Sequence, residues 1–134
     1  MTRRDERDQQ ALAVVRAAYD FLGGRRAEWA DLVAPDITIR QSDEVPWGGH
    51  HVGTEGFLRF LGAYAATITS TVETGELYVC ADRVVQVGRT RGKALATGES
   101  FDAHEVHIWQ IRDGLIASLE IHVESAPLLR ALGS

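Results

Sequence analysis

One cysteine, one methionine and three prolines stand in 134 residues, and each scarcity removes a class of explanation. Cys80 alone can form neither an internal disulfide nor a cysteine metal cluster. The chain must rely on a hydrophobic core, which one domain of this length can build without staples. Basic charge is also short: 14 Lys and Arg against 19 Asp and Glu leave a net charge of −5. That is the wrong sign for a general nucleic-acid binder, which must neutralise phosphates. Arginines gather at Arg3–Arg4, Arg25–Arg26 and Arg89/Arg91, but with acids interleaved, the pattern of solvated faces. No apolar run could span a bilayer, and the start, Met1-Thr-Arg-Arg-Asp-Glu-Arg-Asp, is too charged for a secretory signal. A cytoplasmic protein with no nucleic-acid and no membrane partner is expected. Gly-x-Ser-x-Gly, the phosphate-binding P-loop and the dinucleotide fingerprint are missing, and no cofactor is expected.

The residues that are present order themselves into elements of one domain, 1–134. From about Asp5 to Leu22, Leu12, Val15, Tyr19 and Leu22 recur at helical spacing, and Gly23-Gly24 stops the helix. A second short helix is expected with Trp29, Leu32 and Val33 on one face, ending before Pro35. Asp36 to Gln41 alternates like a strand. An irregular segment, Ser42 to Gly53, follows; Thr54 then caps a third helix with Phe57, Leu61, Tyr64 and Ile68 buried. Strands are expected over about 70–80, 83–94, 99–111 and 116–124, and a last helical turn from Pro127 to Leu132. Helices first and an antiparallel sheet afterwards is an α+β signature.

Two stretches carry a family resemblance. Val45-Pro-Trp-Gly-Gly-His-His-Val-Gly-Thr-Glu-Gly56 resembles the Pro-Trp-Gly-Gly passage of SnoaL-like proteins. Val106-His-Ile-Trp-Gln-Ile-Arg-Asp-Gly-Leu-Ile116 is similar to their Asp-Gly-Lys-Ile hairpin, with Leu115 in place of the lysine. With the order of elements, these resemble the SnoaL-like and ketosteroid-isomerase-like families of the nuclear-transport-factor-like fold. The resemblance implies a cone-shaped curved sheet, antiparallel with a mixed edge, wrapped around the N-terminal helices over an interior pocket. It also implies a homodimer formed through the sheet. The family's catalytic positions do not transfer. The isomerase base falls on Gln41, which cannot take a proton; the second acid falls near His107. The helix-one tyrosine falls near Ala17 or Ala18, and Tyr19, one or two residues on, need not point the same way at about 100° per residue. The aspartate of the cyclases and epoxide hydrolases falls on Ile121, and the hydrolases' Arg-x-Asp pair falls near Gly88 and Thr90.

Geometry picks out other side chains. On the last strand Ala117, Leu119, Ile121 and Val123 form an apolar face that should pack inward. A two-residue Asp113-Gly114 turn would pair Arg112 with Leu115 and set His104, Val106, Ile108 and Gln110 inside. A three-residue loop would pair Ile111 with Leu115 and set Glu105, His107 and Trp109 inside. The resemblance favours the second. On it, Glu105 and His107 form a candidate acid/base unit beside a flat apolar wall, Trp109; equally, the two could simply satisfy each other in a polar patch.

Leu119 and Ile121 would line the pocket. Gln41 and Tyr19 could orient a ligand carbonyl or hydroxyl, Trp47 could anchor the bend and line the entrance, and His50 could reach the mouth. Adjacent His50 and His51 lack a third ligand at suitable spacing, so no metal is expected. A small hydrophobic ligand, polyketide- or steroid-like, is the expected partner. Three functions fit: proton-transfer isomerisation or cyclisation, ligand binding without chemistry, and an epoxide-hydrolase-like reaction that would need a second carboxylate.

Overall fold

The computed structural model describes residues 2–133. Helix α1, Arg3–Leu22, starts two residues earlier than its apolar periodicity suggests because Thr2 and Asp5 cap it reciprocally. Its buried side, Ala11, Val15, Ala18 and Tyr19, follows the 3.6-residue repeat. The second helix expected around Trp29 to Val33 does not form. Residues 30–32 make a turn, and Val33 opens strand β1, Val33–Gln41. Pro35 disfavours helical geometry at Ala34, and pairing with the final strand supplies the hydrogen bonds instead: the Ile116 N–H donates to the Leu32 carbonyl at 2.8 Å. Trp29 is still used for packing, against Phe57.

The segment expected to be irregular contains a short strand, β2, Gly49–Val52, antiparallel to β1. Helix α2, Gly53–Thr67, follows at once; Thr54 lies inside its first turn and no side chain caps it. Ile68, expected on the helix stripe, is buried as the first residue of β3, Ile68–Cys80. Strands β4 (Arg83–Ala94), β5 (Ser100–Arg112) and β6 (Leu115–Val123) and helix α3 (Ser125–Leu132) complete the chain. The sheet runs β2-β1-β6-β5-β4-β3, parallel only between β1 and β6, so it is mixed as expected. Residues of α1 and α2 meet the inner face of the sheet, and α3 seats Leu128 and Ala131 against it. Among the described residues no helix is long and apolar enough to cross a membrane.

Two glycines let β3 and β4 approach closely. A β-carbon at Gly92 would stand 1.8 Å from the Thr69 carbonyl oxygen, and one at Gly88 would stand 2.4 Å from that of Glu73. Opposite Gly88, β3 carries an extra residue: pairing shifts between Glu73↔Arg89 and Glu76↔Val87. Such a bulge bends its strand and frees a backbone N–H, here that of Gly75, which turns to a side chain described below.

The β5–β6 hairpin resolves the question of which face looks inward, by a route that neither loop length anticipates. The turn has two residues, Asp113 and Gly114, with φ of 53° and 75°, the left-handed pair of a type I′ turn. Arg112 pairs with Leu115, so the three-residue loop is not formed. The register then shifts between Ile111↔Ile116 and Gln110↔Ser118, leaving Ala117 unpaired. That bulge offsets the parity of the tight turn. Glu105, His107 and Trp109 come to share a face with Val123, Ile121 and Leu119, and His104 is left outside. Gly114→Ala, which forces a β-carbon into the left-handed region, should lower unfolding free energy by about 1–2 kcal/mol, read as a reduced urea midpoint.

Candidate functional site

The bulge at Ala117 sets three polar or aromatic side chains of β5 against an apolar interior. The cavity they face has a volume of about 130 Å³, close to the roughly 150 Å³ of an apolar cavity that admits benzene. Leu22, Gly23 and Arg25, exposed at the C-terminal end of α1, form one rim. Apolar side chains dominate the walls, among them Ile39, Phe60, Leu119 and Ile121. Among the described residues, Glu105 is the one carboxylate on those walls. The second acid that a hydrolase reading would need is not in the cavity.

Glu105 and His107 are 3% and 5% exposed, and His107 Nε2 stands 2.9 Å from Glu105 Oε2. Their hydrogen bonds run in one direction. The Trp109 indole can only donate, and its Nε1 lies 2.9 Å from the Tyr19 hydroxyl. That oxygen therefore accepts, and its own proton goes to His107 Nδ1, 2.8 Å away. The imidazole keeps its proton on Nε2 and gives that hydrogen bond to Glu105. Tyr19 does point into the cavity, stacked near His107 with ring centroids 5.8 Å apart. Burial raises the Tyr19 phenol pKa; the Trp109 hydrogen bond opposes the rise and the nearby Glu105 charge adds to it.

Gln86 was not singled out from the sequence, yet it completes this network. It is fully buried opposite His107. Its carbonyl oxygen accepts from the Gly75 N–H released by the β3 bulge, 3.3 Å away. Its NH₂ is thereby turned toward Glu105 Oε1 at 3.5 Å and His107 Nδ1 at 3.4 Å. The available signal was its phase: Val84, Gln86 and Thr90 lie at even spacing and all are buried.

Across the sheet, paired residues put Gln41, Ile121, His107 and Gln86 in one row on β1, β6, β5 and β4. Gln41 is two strand spacings from His107, roughly 10 Å along the sheet. Trp47 Nε1 donates to Gln41 Oε1 at 3.0 Å, which commits the oxygen and directs the amide NH₂ away from the indole. Trp47 is both the buried anchor of its bend and a wall of the cavity. Trp109, Leu119 and Ile121 line the cavity as well. His50 does not: it is exposed on β2 and absent from the walls, because β2 alternates and His51 takes the inward side. His51 Nε2 donates to the carbonyls of Trp47 and Gly48, each at 3.1 Å, and so holds the bend. Among the described residues, no group of three His, Cys, Asp or Glu side chains could hold a metal ion.

Tyr64 of α2 looks in from the other helix. Burial first, and then the Glu105 charge, push its phenol up to about 12, against a smaller lowering by the Thr90 hydroxyl. A raised folded-state value gives stability that is fully present below the unfolded value of 10.0 and lost as pH climbs toward about 12. The urea midpoint should therefore fall between those two pH values. The fall should be smaller in Tyr64→Phe, with Tyr19 contributing a remainder of the same sign.

A family model described as the SnoaL-like domain matches residues 15–119. An NTF2-like protein from Burkholderia xenovorans LB400 has a TM-score of 0.83 at 22% identity, covering 92% of this chain and 96% of that one. TerC, co-crystallised with polyporic acid, gives 0.84 at 22% identity over 93% and 99%. A candidate SnoaL-like polyketide cyclase from Jannaschia sp. CCS1 gives 0.78 at 17% identity over 94% and 93%. No curated protein matches the chain. At these identities the solved structures show a common fold, while the family model spans most of the sequence. The chain belongs to the SnoaL-like domain family.

Proposed function

We propose that the cavity binds a small, mainly apolar ketone or enol and that Tyr19, His107 and Glu105 move a proton on it, in an isomerisation or cyclisation. One observation supports this above the rest: a directed chain of hydrogen bonds ending in a buried carboxylate and facing an apolar cavity. In the proposed step Tyr19 Oη takes a proton from carbon next to the ligand carbonyl while its own proton passes to His107 Nδ1. The C–H electron pair becomes the enolate, and the imidazolium is held by the Glu105 carboxylate. Reversing the transfer at another carbon gives the isomer; attack of the enolate carbon on a second carbonyl of the ligand forms the new C–C bond, and the resulting alkoxide takes a proton from Tyr19 as His107 returns one to it. Phenolate is costly here because the Tyr19 pKa is raised by burial, so the two proton movements must be concerted. The Gln41 NH₂, set by Trp47, is the donor suited to the developing oxyanion. TerC, of like fold, was crystallised with polyporic acid, and the Jannaschia protein is named after cyclases; both are consistent with a ring-bearing carbonyl compound.

A second reading, binding without chemistry, has its own support. Among the described residues no buried side-chain polar atom lacks a partner, so the network is complete without a ligand, and Gln41 and Ile121 stand where the resemblance puts the family's familiar acids. 2-Tetralone separates the two. Tryptophan fluorescence reports its binding beside Trp47 and Trp109, and proton NMR in D₂O reports exchange of its α-hydrogens. The proton-transfer reading expects saturable binding with catalysed exchange, lowered about 100-fold or more by His107→Ala, Glu105→Gln or Tyr19→Phe in variants that keep their circular-dichroism spectrum. Binding with no exchange above solvent background would establish the accessory reading instead.

The outer face of the sheet supports a homodimer. Tyr78, Val85 and Ile108 lie in one row and Val87 and Val106 in the next, with Tyr78 50% and Val87 45% exposed, an apolar strip of the kind that marks an interface. Sedimentation should give a dimer mass for the wild type and a monomer mass for Ile108→Glu with Val87→Glu. An unchanged mass in the variant would place any contact elsewhere.

A further inference from the structure

The cavity has a second polar group of side chains, whose hydroxyls gather toward the β3–β4 side of the sheet, that the proton-transfer step does not use. Tyr64 of α2, Ser70 of β3 and Thr90 of β4 all line the same space as His107. The Tyr64 and Ser70 hydroxyls are hydrogen-bonded to each other. Thr90 pairs with Val72 two residues along β3 from Ser70, and is 6% exposed. The three hydroxyls come from three elements and face the cavity together, with Thr71 and Thr74 of β3 also on its lining. The Glu105 charge raises both phenols, Tyr19 and Tyr64.

We propose that Tyr64, Ser70 and Thr90 form a subsite for a hydroxyl on the far ring of the ligand, so that the preferred ligand is a neutral hydroxylated ketone of about two rings. This rests on the reading of the cavity as a site for a ring-bearing ketone. Hydroxyl side chains both donate and accept, and can close a hydrogen-bond ring with a ligand O–H. An apolar ring edge placed there would strip water from three hydroxyls and return only what they make with one another. Neutrality follows from Glu105: a carboxylate or phenolate on the ligand would sit next to the one buried acid of the cavity and be repelled. The ketone oxygen goes to the Gln41 end and the hydroxyl to the Tyr64 end, with the ring system over Ile121 and Trp109 between them.

Two probes of nearly the same shape test it: 2-tetralone and 6-hydroxy-2-tetralone, titrated by tryptophan fluorescence at neutral pH, where the phenol is un-ionised. The wild type should bind the hydroxylated ketone at least about tenfold more tightly, the equivalent of one well-made buried hydrogen bond. Thr90→Val, which keeps the side-chain shape, should bring the ratio of the two dissociation constants to within about twofold, and Ser70→Ala should reduce it likewise. The second variant covers the case in which the first does not fold. Equal affinities in the wild type, or a ratio that both variants leave intact, would overturn the subsite while leaving the cavity reading in place. Failure of both ketones to bind at any concentration would overturn the cavity reading and the subsite with it.

Discussion

A carboxylate and an imidazole 2.9 Å apart, each almost wholly out of water, are tolerated only if their remaining donors and acceptors are met. Much of the unusual local structure in this domain does that. The β3 bulge releases the Gly75 N–H, which turns Gln86 so that its NH₂ faces Glu105 Oε1 and lies beside the His107 ring. Tyr19 arrives from α1 and Trp109 from two residues along β5, and together they fix which imidazole nitrogen keeps the proton. Gly88 allows β3 close enough for the first of these contacts. A bulge in one strand, a missing side chain in the next and a helix phase thus serve one buried carboxylate–imidazole pair.

The fold was legible because it is written in long, redundant patterns. The apolar repeat of α1, the alternation of four strands and the glycine-bearing turns each involve many residues, and one ambiguous position changes little. Short elements failed. Trp29, Leu32 and Val33 have helical spacing, but tertiary pairing with β6 competes for the same backbone groups and prevails. Four residues of β2 give no readable alternation beside the Pro-Trp-Gly-Gly bend. His50 and His51 look equivalent in sequence; only the phase of that short strand separates an exposed ring from one that holds a bend.

The inward face of β5 was legible for a different reason than the geometry of the turn would suggest. Loop length alone leads to the wrong face for a two-residue turn, because nothing in Leu115-Ile-Ala-Ser118 announces that Ala117 will be skipped. Side-chain chemistry still selects the observed face, since both Ile116 and Ala117 can be buried at the bulge. Gln86 escaped notice because a glutamine in a surface-rich strand is usually solvated, and its partner is a backbone N–H made available by a distant irregularity. The same limit applies to Tyr64, Ser70 and Thr90, which converge from three elements and share no motif.

The row that joins Gln41, Ile121, His107 and Gln86 has a further meaning. Its members are spaced by backbone hydrogen bonding between strands, so the interval between the backbone positions of Gln41 and His107 is a property of the sheet and not of the side chains. The sheet works as a ruler with fixed graduations. Substitution can change what is read at each mark, an acid here and an amide there, but cannot move the marks. Single substitutions on this scaffold can therefore exchange one chemistry for another while the backbone positions that carry it stay where the strand pairing holds them.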